Sequence, residues 1–203
     1  MGLPPGDRGS TLTPRHHRKR TVMNLPNLLT LARIALIPVL VLLIMLPGAW
    51  TYEASAAVFL LASLTDWLDG YLARRLKLQT ALGAFLDPVA DKLIVVTVLV
   101  MLTGRYGDLW FSLAAAVIVG REIMISALRE WMAEMQRRGV VAVAWLGKAK
   151  TTAQMIAILV LLYTPETATG WQPALGFALL LFAAVLTLAS MVSYLRAAWP
   201  TLQ

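Results

Sequence analysis

The stretch NLLTLARIALIPVLVLLIMLP, residues 27–47, is the first of several long apolar blocks in this chain. Each block is roughly 20 residues long, the length that a helix needs to cross a bilayer core about 30 Å thick. Of the 203 residues, 59% are hydrophobic and 14% are charged. That composition is far more apolar than the composition of an ordinary soluble domain. The sequence therefore predicts an all-α, polytopic membrane protein rather than a soluble enzyme with a tail.

The apolar blocks predict a six-transmembrane-helix bundle. The six spans cover approximately residues 27–47, 53–75, 83–104, 109–133, 148–164 and 172–197. Residues 1–22 precede the first span and are rich in proline, glycine and basic residues. We expect them to form a basic, mostly disordered cytoplasmic arm, because such a composition buries little apolar surface. Residues 23–203 then form the membrane domain.

Charge and aromatic residues indicate how the bundle sits in the membrane. Short-loop lysines and arginines favour one side, which the positive-inside rule assigns to the cytoplasm together with both termini. The residues on that side are Arg74, Arg75, Lys77, Arg137, Arg138, Lys148, Lys150 and Arg196, and Arg105 is the main exception. The net charge of +7 thus indicates orientation and anionic lipid rather than nucleic acid. Tryptophans at the predicted span ends are typical interfacial anchors, namely Trp50, Trp110, Trp171 and Trp199.

Four aspartates stand out in the stretch DWLDGYLARRLKLQTALGAFLDPVADK, residues 66–92. At about 100° per residue, each of the two predicted helices presents two of these carboxylates and at least one small residue on a single face. The first face holds Asp66, Asp69, Gly70 and Ala73 with Arg74 at its edge, and the second holds Gly83, Asp87 and Asp91. The small residues leave the backbone open to close approach by a ligand. Pro88 removes a backbone donor and would normally kink its helix.

Carboxylates at membrane depth are costly unless they are paired or bound to cations. Their oxygen ligands suit Mg²⁺ or Mn²⁺ rather than zinc, and four of them can hold two such ions about 3.5–4 Å apart, which is the geometry of phosphoryl-transfer sites. Two alternatives remain open. The acids could pair with Arg74, Arg75 and Lys92 and merely stabilise the bundle, or they could form the pathway of a divalent cation transporter. The chain has no cysteine, which excludes disulfides and Cys-ligated zinc.

The same stretch resembles the signature of the CDP-alcohol phosphotransferase family. That signature is Asp, two residues, Asp-Gly, two residues, Ala-Arg, eight residues, Gly, three residues, Asp, three residues, Asp, and every fixed position is present here. The stretches NLPNLLTLARIALIP (24–38), GREIMISALREWM (120–132) and LGKAKTTAQM (146–155) look like those of bacterial phosphatidylglycerophosphate synthases within the family. The resemblance spans roughly residues 23–197.

The resemblance implies an enzyme of phospholipid biosynthesis in the bacterial cytoplasmic membrane, usually a homodimer, with its site on the cytoplasmic side. It would transfer a phosphatidyl group from CDP-diacylglycerol to glycerol 3-phosphate and release CMP. Asp66, Asp69, Asp87 and Asp91 would hold two Mg²⁺ or Mn²⁺ ions, with Asp91 also the general base. CDP-diacylglycerol would bind Asp66, Asp69, Gly70, Ala73, Arg74 and Gly83. Another acceptor, such as inositol phosphate, serine or phosphatidylglycerol, remains the alternative within the family.

A phosphorylated acceptor requires fixed cations near the acids, because it must approach a donor that is already anionic. The candidates are Arg121, Arg129, Lys148 and Lys150, with Asn27, Thr30 and Arg33 on the first span. Arg121, the two lysines and Thr30 have simpler alternatives. Arg121 could form a polar network with Glu122, the two lysines could be ordinary basic flanks, and Thr30 could bond its own helix backbone.

Overall fold

The structure is a computed structural model that describes residues 25–76, 81–134 and 145–198. In these ranges the chain forms six α-helices, and their ends lie within three residues of the predicted spans. The helices are α1 (Leu25–Met45), α2 (Trp50–Leu76), α3 (Ala81–Tyr106), α4 (Leu109–Glu134), α5 (Trp145–Tyr163) and α6 (Trp171–Ala198). The all-α prediction is confirmed for this part of the chain. The predicted arm, residues 1–22, and Trp199 lie outside the described residues.

Short connections join α1 to α2, α3 to α4 and α5 to α6, so these pairs run in opposite directions and the three connections share one end of the bundle. The tightest connection is Gly107–Asp108. Gly107 has a φ of 58°, and its N–H donates to the carbonyl of Thr103 at 3.1 Å, which ends α3. Asp108 begins the next helix, since its Oδ1 accepts the N–H of Phe111 at 2.8 Å as an N-cap.

The packing leaves one gap in the bundle. α1 packs against α2 and α3, α5 packs closely against α6, and α4 packs on α6. α3 contacts α4 and α5 much less extensively, and the space between them opens into the cavity described below. The core lies toward the end with the short connections. There the rings of Tyr106 and Phe111 stack, Phe177 packs edge-on against both, and the ring centroids are 5.4 Å apart.

The outer surface is apolar, as a lipid-facing surface must be. Leu42, Val100 and Val185 are each 60–62% exposed. Three helical segments among the described residues are long and apolar enough to cross a membrane, namely Asn27–Met45, Leu109–Met132 and Trp171–Ser193. The chain is thus a polytopic membrane protein. The other three helices are less apolar, because α2 and α3 carry the aspartates and the apolar part of α5 is only Lys150–Tyr163. That α2, α3 and α5 also cross the membrane stays a prediction.

The end with the short connections carries exposed tryptophans. Trp50, Trp110 and Trp171 begin or nearly begin α2, α4 and α6, and they are 58%, 67% and 71% exposed. That arrangement is typical of aromatic anchors at one membrane interface.

Arg105, the exception to the charge asymmetry, lies at this same end and is buried. Its guanidinium donates to the Ile44 carbonyl at 3.1 Å, pairs with Glu166 at 3.3 Å and lies over the ring of Tyr52. Arg105 thus ties the end of α1 to α2 and to the α5–α6 connection. This contact explains why one arginine stands at the end that otherwise lacks the basic loops.

Candidate active site

A cavity of about 720 Å³ opens at the end of the bundle opposite the short connections. It is bounded by the second halves of α2 and α4 and the first halves of α3 and α5, and Arg33 of α1 reaches it as well. Its polar groups cluster on two sides, with acidic residues on α2 and α3 and a mixed group on α4 and α5. Apolar side chains such as Val95, Ile118 and Ile125 line the rest. A site with a charged part and an apolar part suits an amphiphilic ligand.

Three of the four aspartates line this cavity. Asp66 comes from α2, and Asp87 and Asp91 come from α3, one helical turn apart. The carboxylates of Asp66 and Asp91 remain 43% and 46% exposed, so they are accessible from the cavity. Pro88 lies between Asp87 and Asp91 on α3 and does not interrupt the helix, which runs unbroken from Ala81 to Tyr106. Asp66, Asp87 and Asp91, which the sequence placed on single faces of two helices, thus form one acidic wall of the cavity.

A polar stripe on α1 lies against this wall. Asn27, Thr30 and Arg33 follow one another at three-residue steps and are at most 1% exposed. The Nη1 atom of Arg33 contacts Asp66 Oδ1 at 2.9 Å and Asp91 Oδ1 at 2.5 Å. The hydroxyl of Thr30 donates to Asp87 Oδ1. The sequence suggested an acceptor phosphate as the partner of Thr30 and Arg33, whereas the structure places both against the carboxylates.

Among the described side chains, the ion pairs of Asp66 and Asp91 are made by a cation other than those considered. Arg75 donates to the hydroxyl of Tyr71 at 2.7 Å, and Lys92 lines the cavity, but it is Arg33 of α1 that bridges Asp66 and Asp91. The sequence named Asn27, Thr30 and Arg33 as candidates, and it does not tell which neighbouring helix they meet.

The acidic wall fits hard divalent cations by its chemistry. Three carboxylates face one cavity, and among the described contacts Arg33 bridges two of them and leaves oxygen ligands accessible. Among the described side chains, no three acids or histidines are already gathered at metal-ligand spacing. The side chain of Asp69, the fourth acid, lies outside the described part of the structure.

The other polar wall centres on Glu122. Its Oε1 accepts Arg121 Nη1 at 2.6 Å and Lys150 Nζ at 3.1 Å, and Arg121 Nη2 also approaches Ser190 Oγ at 3.4 Å. Glu122 and Arg121 line the cavity. The Arg121–Glu122 network considered above therefore exists. It does not exclude anion binding, because two cations contact one carboxylate.

Lys150 differs from an ordinary basic flank, since it is 3% exposed and buried between helices. Gln154 follows one turn later on the same face, is 5% exposed and lines the cavity. Sequence reasoning missed Gln154 and the lysine's link to Glu122. The available signal was a pair of polar residues at i and i+4 in an otherwise apolar helix.

Several predicted site residues are not described in their side chains. They are Asp69, Gly70, Ala73 and Arg74 on α2, Arg129 on α4, and Lys148 on α5. Gly83, on the first turn of α3, is buried. Their proposed roles stay predictions.

Comparison with known proteins agrees with this geometry. The profile of the CDP-alcohol phosphatidyltransferase family matches residues 23–195. A Pseudomonas fluorescens protein named CDP-diacylglycerol–glycerol-3-phosphate 3-phosphatidyltransferase is 56% identical over 183 residues, which are 89% of this chain and 93% of that protein. Proteins of the same name from Salmonella choleraesuis and Shigella flexneri serotype 5b are 54% and 53% identical over 175 residues, or 86% of this chain and 94% of each relative.

Proposed function

Because the chain belongs to the CDP-alcohol phosphatidyltransferase family, we propose that it transfers a phosphatidyl group from CDP-diacylglycerol to glycerol 3-phosphate. The products are phosphatidylglycerophosphate and CMP. The names of relatives that are 53–56% identical over nearly their whole length support this donor and this acceptor. The family also disfavours the cation transporter considered from the sequence.

One structural observation carries the proposal: Arg121 and Glu122 line the same cavity as the acidic wall of α2 and α3, and Lys150 contacts Glu122 from a buried position. The reaction joins two anionic phosphate compounds, so it needs cations near both. The acids can supply them at the donor diphosphate by holding metal ions. Arg121 can supply a positive charge directly at the acceptor phosphate, and Lys150 adds to it from behind Glu122. The apolar remainder of the cavity suits the lipid part of the donor.

In the proposed reaction, the sn-1 hydroxyl oxygen of glycerol 3-phosphate attacks the phosphorus that bears the diacylglycerol. The new P–O bond forms as the bond to the CMP oxygen breaks, and CMP leaves with the electron pair. The carboxylate of Asp91 accepts the proton of the attacking hydroxyl. Asp91 suits this role because its carboxylate is accessible from the cavity.

Asp66, Asp69, Asp87 and Asp91 would hold two divalent ions, Mg²⁺ or Mn²⁺. When bound, such ions offset the charge that develops on the diphosphate as CMP departs. Thr30 and Arg33 hold the carboxylates of α2 and α3 in place from the side of α1. Gly70, Ala73, Arg74 and Gly83 would form the nucleotide pocket, as the family signature implies.

We further propose that all six helices span the membrane, that both termini and the cavity face the cytoplasm, and that the protein is a homodimer. The basic residues near the cavity end support this orientation. So do the exposed tryptophans at the other end, which would then mark the outer interface. Such an arrangement gives the cavity access both to a lipid in the inner leaflet and to a water-soluble acceptor.

An acceptor panel on the purified protein tests the function. Detergent-solubilised protein receives CDP-diacylglycerol, Mg²⁺ or Mn²⁺, and one acceptor at a time: glycerol 3-phosphate, inositol phosphate, serine or phosphatidylglycerol. We expect CMP release and a new lipid, identified by mass, with glycerol 3-phosphate alone.

Two results would contradict the proposal. Lipid product from another acceptor in preference to glycerol 3-phosphate would change the assigned reaction within the family. Full turnover in the presence of a chelator would remove the metal ions from the mechanism. Omission of the donor serves as the control, and it must abolish CMP release.

A further inference from the structure

We infer that Arg33 is an internal counter-ion, which holds the acidic wall together before divalent ions arrive and whose positive charge opposes their binding. This inference rests on the proposed function, because it concerns the cations that the acidic wall would bind. It assigns Arg33 a positioning role rather than contact with the acceptor phosphate.

The geometry of the ion pairs is the first support. A single nitrogen, Nη1 of Arg33, contacts one oxygen each of Asp66 and Asp91, and these acids stand on different helices. The guanidinium is 1% exposed, whereas the two carboxylates are 43% and 46% exposed. Arg33 therefore approaches the acids from inside the bundle, while the cavity side of each carboxylate stays accessible to an ion from solution.

Electrostatics gives the second support. Without a cation between them, Asp66, Asp87 and Asp91 would repel one another within one cavity wall. A guanidinium between α2 and α3 removes much of that repulsion, so the helices can pack in the absence of metal. The same positive charge opposes an incoming divalent ion, because like charges a few ångströms apart interact strongly in a partly buried site. Arg33 would thus lower the affinity for metal ions and raise the stability of the metal-free protein.

Binding of Mn²⁺ to metal-free protein in detergent, without donor or acceptor, tests the inference. The free-ion signal in electron paramagnetic resonance reports the dissociation constant, and thermal unfolding is followed on the same samples. We expect Arg33→Met to tighten Mn²⁺ binding by about tenfold or more, because it removes the competing charge. The metal-free variant should unfold at a lower temperature than the metal-free wild type, and saturating Mn²⁺ should raise its unfolding temperature by more.

Two further variants separate competition from a merely structural role. Arg33→Lys keeps the charge and should bind Mn²⁺ within about threefold of wild type, since an ammonium still opposes the ion although it lacks the planar fork. Arg105→Met removes another buried, ion-paired arginine at the far end of the bundle. It should lower the unfolding temperature and leave Mn²⁺ affinity unchanged. If Arg33→Met does not fold, Arg33→Gln provides the same comparison.

The outcomes distinguish this inference from the function on which it rests. Unchanged or weaker Mn²⁺ binding in the neutral Arg33 variant, with normal binding by wild type, overturns the counter-ion role and leaves the proposed function intact. Absence of Mn²⁺ binding by wild type overturns both. Tighter binding in the Arg105 variant as well would show a global effect of destabilisation and would also overturn the inference.

Discussion

At the scale of single residues, the three aspartates of the cavity lie on one wall but have different hydrogen-bond and ion-pair partners. Asp91 contacts a guanidinium, Asp87 accepts a hydroxyl, and Asp66 shares the guanidinium of Asp91. The sequence predicted that these acids would share a site, because periodicity fixes which residues share a helix face. It did not predict the partners, because the rotation of α1 against α2 and α3 depends on packing across the bundle.

Asp91→Asn tests the proposed base. Asparagine keeps the size of the side chain and an oxygen that can accept from Arg33, but it cannot take up a proton from the acceptor hydroxyl. We expect kcat to fall by about 10²–10⁴-fold, the usual contribution of a positioned base. CMP release gives kcat, and gel filtration with thermal unfolding reports whether the variant is folded.

The matched control for Asp91→Asn is Asp108→Asn, the same substitution at the opposite end of the bundle. Asp108 caps α4 through Phe111 N–H, and asparagine is an equally good N-cap. This variant should keep turnover within about twofold of wild type, because it changes neither the cap nor the cavity. An Asp91→Asn enzyme with turnover like that of the control would exclude Asp91 as the base.

At the scale of helices, the sequence predicted each element well and did not predict how the helices pair. Apolar blocks, Gly107 and the Asp108 cap fix where helices begin and end, since these are local signals. The choice of neighbours has no such signal, because helices in a lipid environment are apolar on most faces. The close packing of α5 on α6 depends instead on small residues at the contact, of which Gly176 is one.

Gly176→Ala tests this contact. A Cβ at position 176 would lie 2.6 Å from Cγ and Cδ2 of Leu161, a fully buried side chain on α5. Leu161 cannot give way freely, so the two helices must separate or distort. We expect a loss of stability of about 1–3 kcal/mol, as is typical of overpacking. Thermal unfolding in a fixed detergent measures it.

Gly104→Ala is the control for this substitution. A Cβ there meets no atom within 4 Å, and the position lies inside α3. Alanine favours a helix by about 1 kcal/mol over glycine, so the variant should be as stable as wild type or slightly more so. Equal stability of the two variants would show that α5 and α6 do not pack as closely as the structure indicates.

At the scale of the whole molecule, the two ends of the bundle are chemically different. One end has exposed Trp50, Trp110 and Trp171 and a buried Arg105, and the other has the cavity with its acids and cations. The positive-inside rule predicts an orientation from loop charges alone, since those charges are visible in the sequence. The cavity itself could not be predicted, because it arises from weak packing of α3 against α4 and α5.

The orientation can be tested directly, because the chain has no native cysteine and single cysteines can be introduced without background. Thr167→Cys lies in the α5–α6 connection at the tryptophan end, and Ser10→Cys lies in the basic N-terminal segment. In intact bacterial spheroplasts, a membrane-impermeant maleimide should label Cys at position 167 and spare Cys at position 10. After permeabilisation both should react, which controls for intrinsic reactivity. The reverse pattern in intact spheroplasts would place the cavity on the outer face of the membrane and contradict the proposed orientation. A cavity on that face could not reach an acceptor and a donor in the cytoplasm.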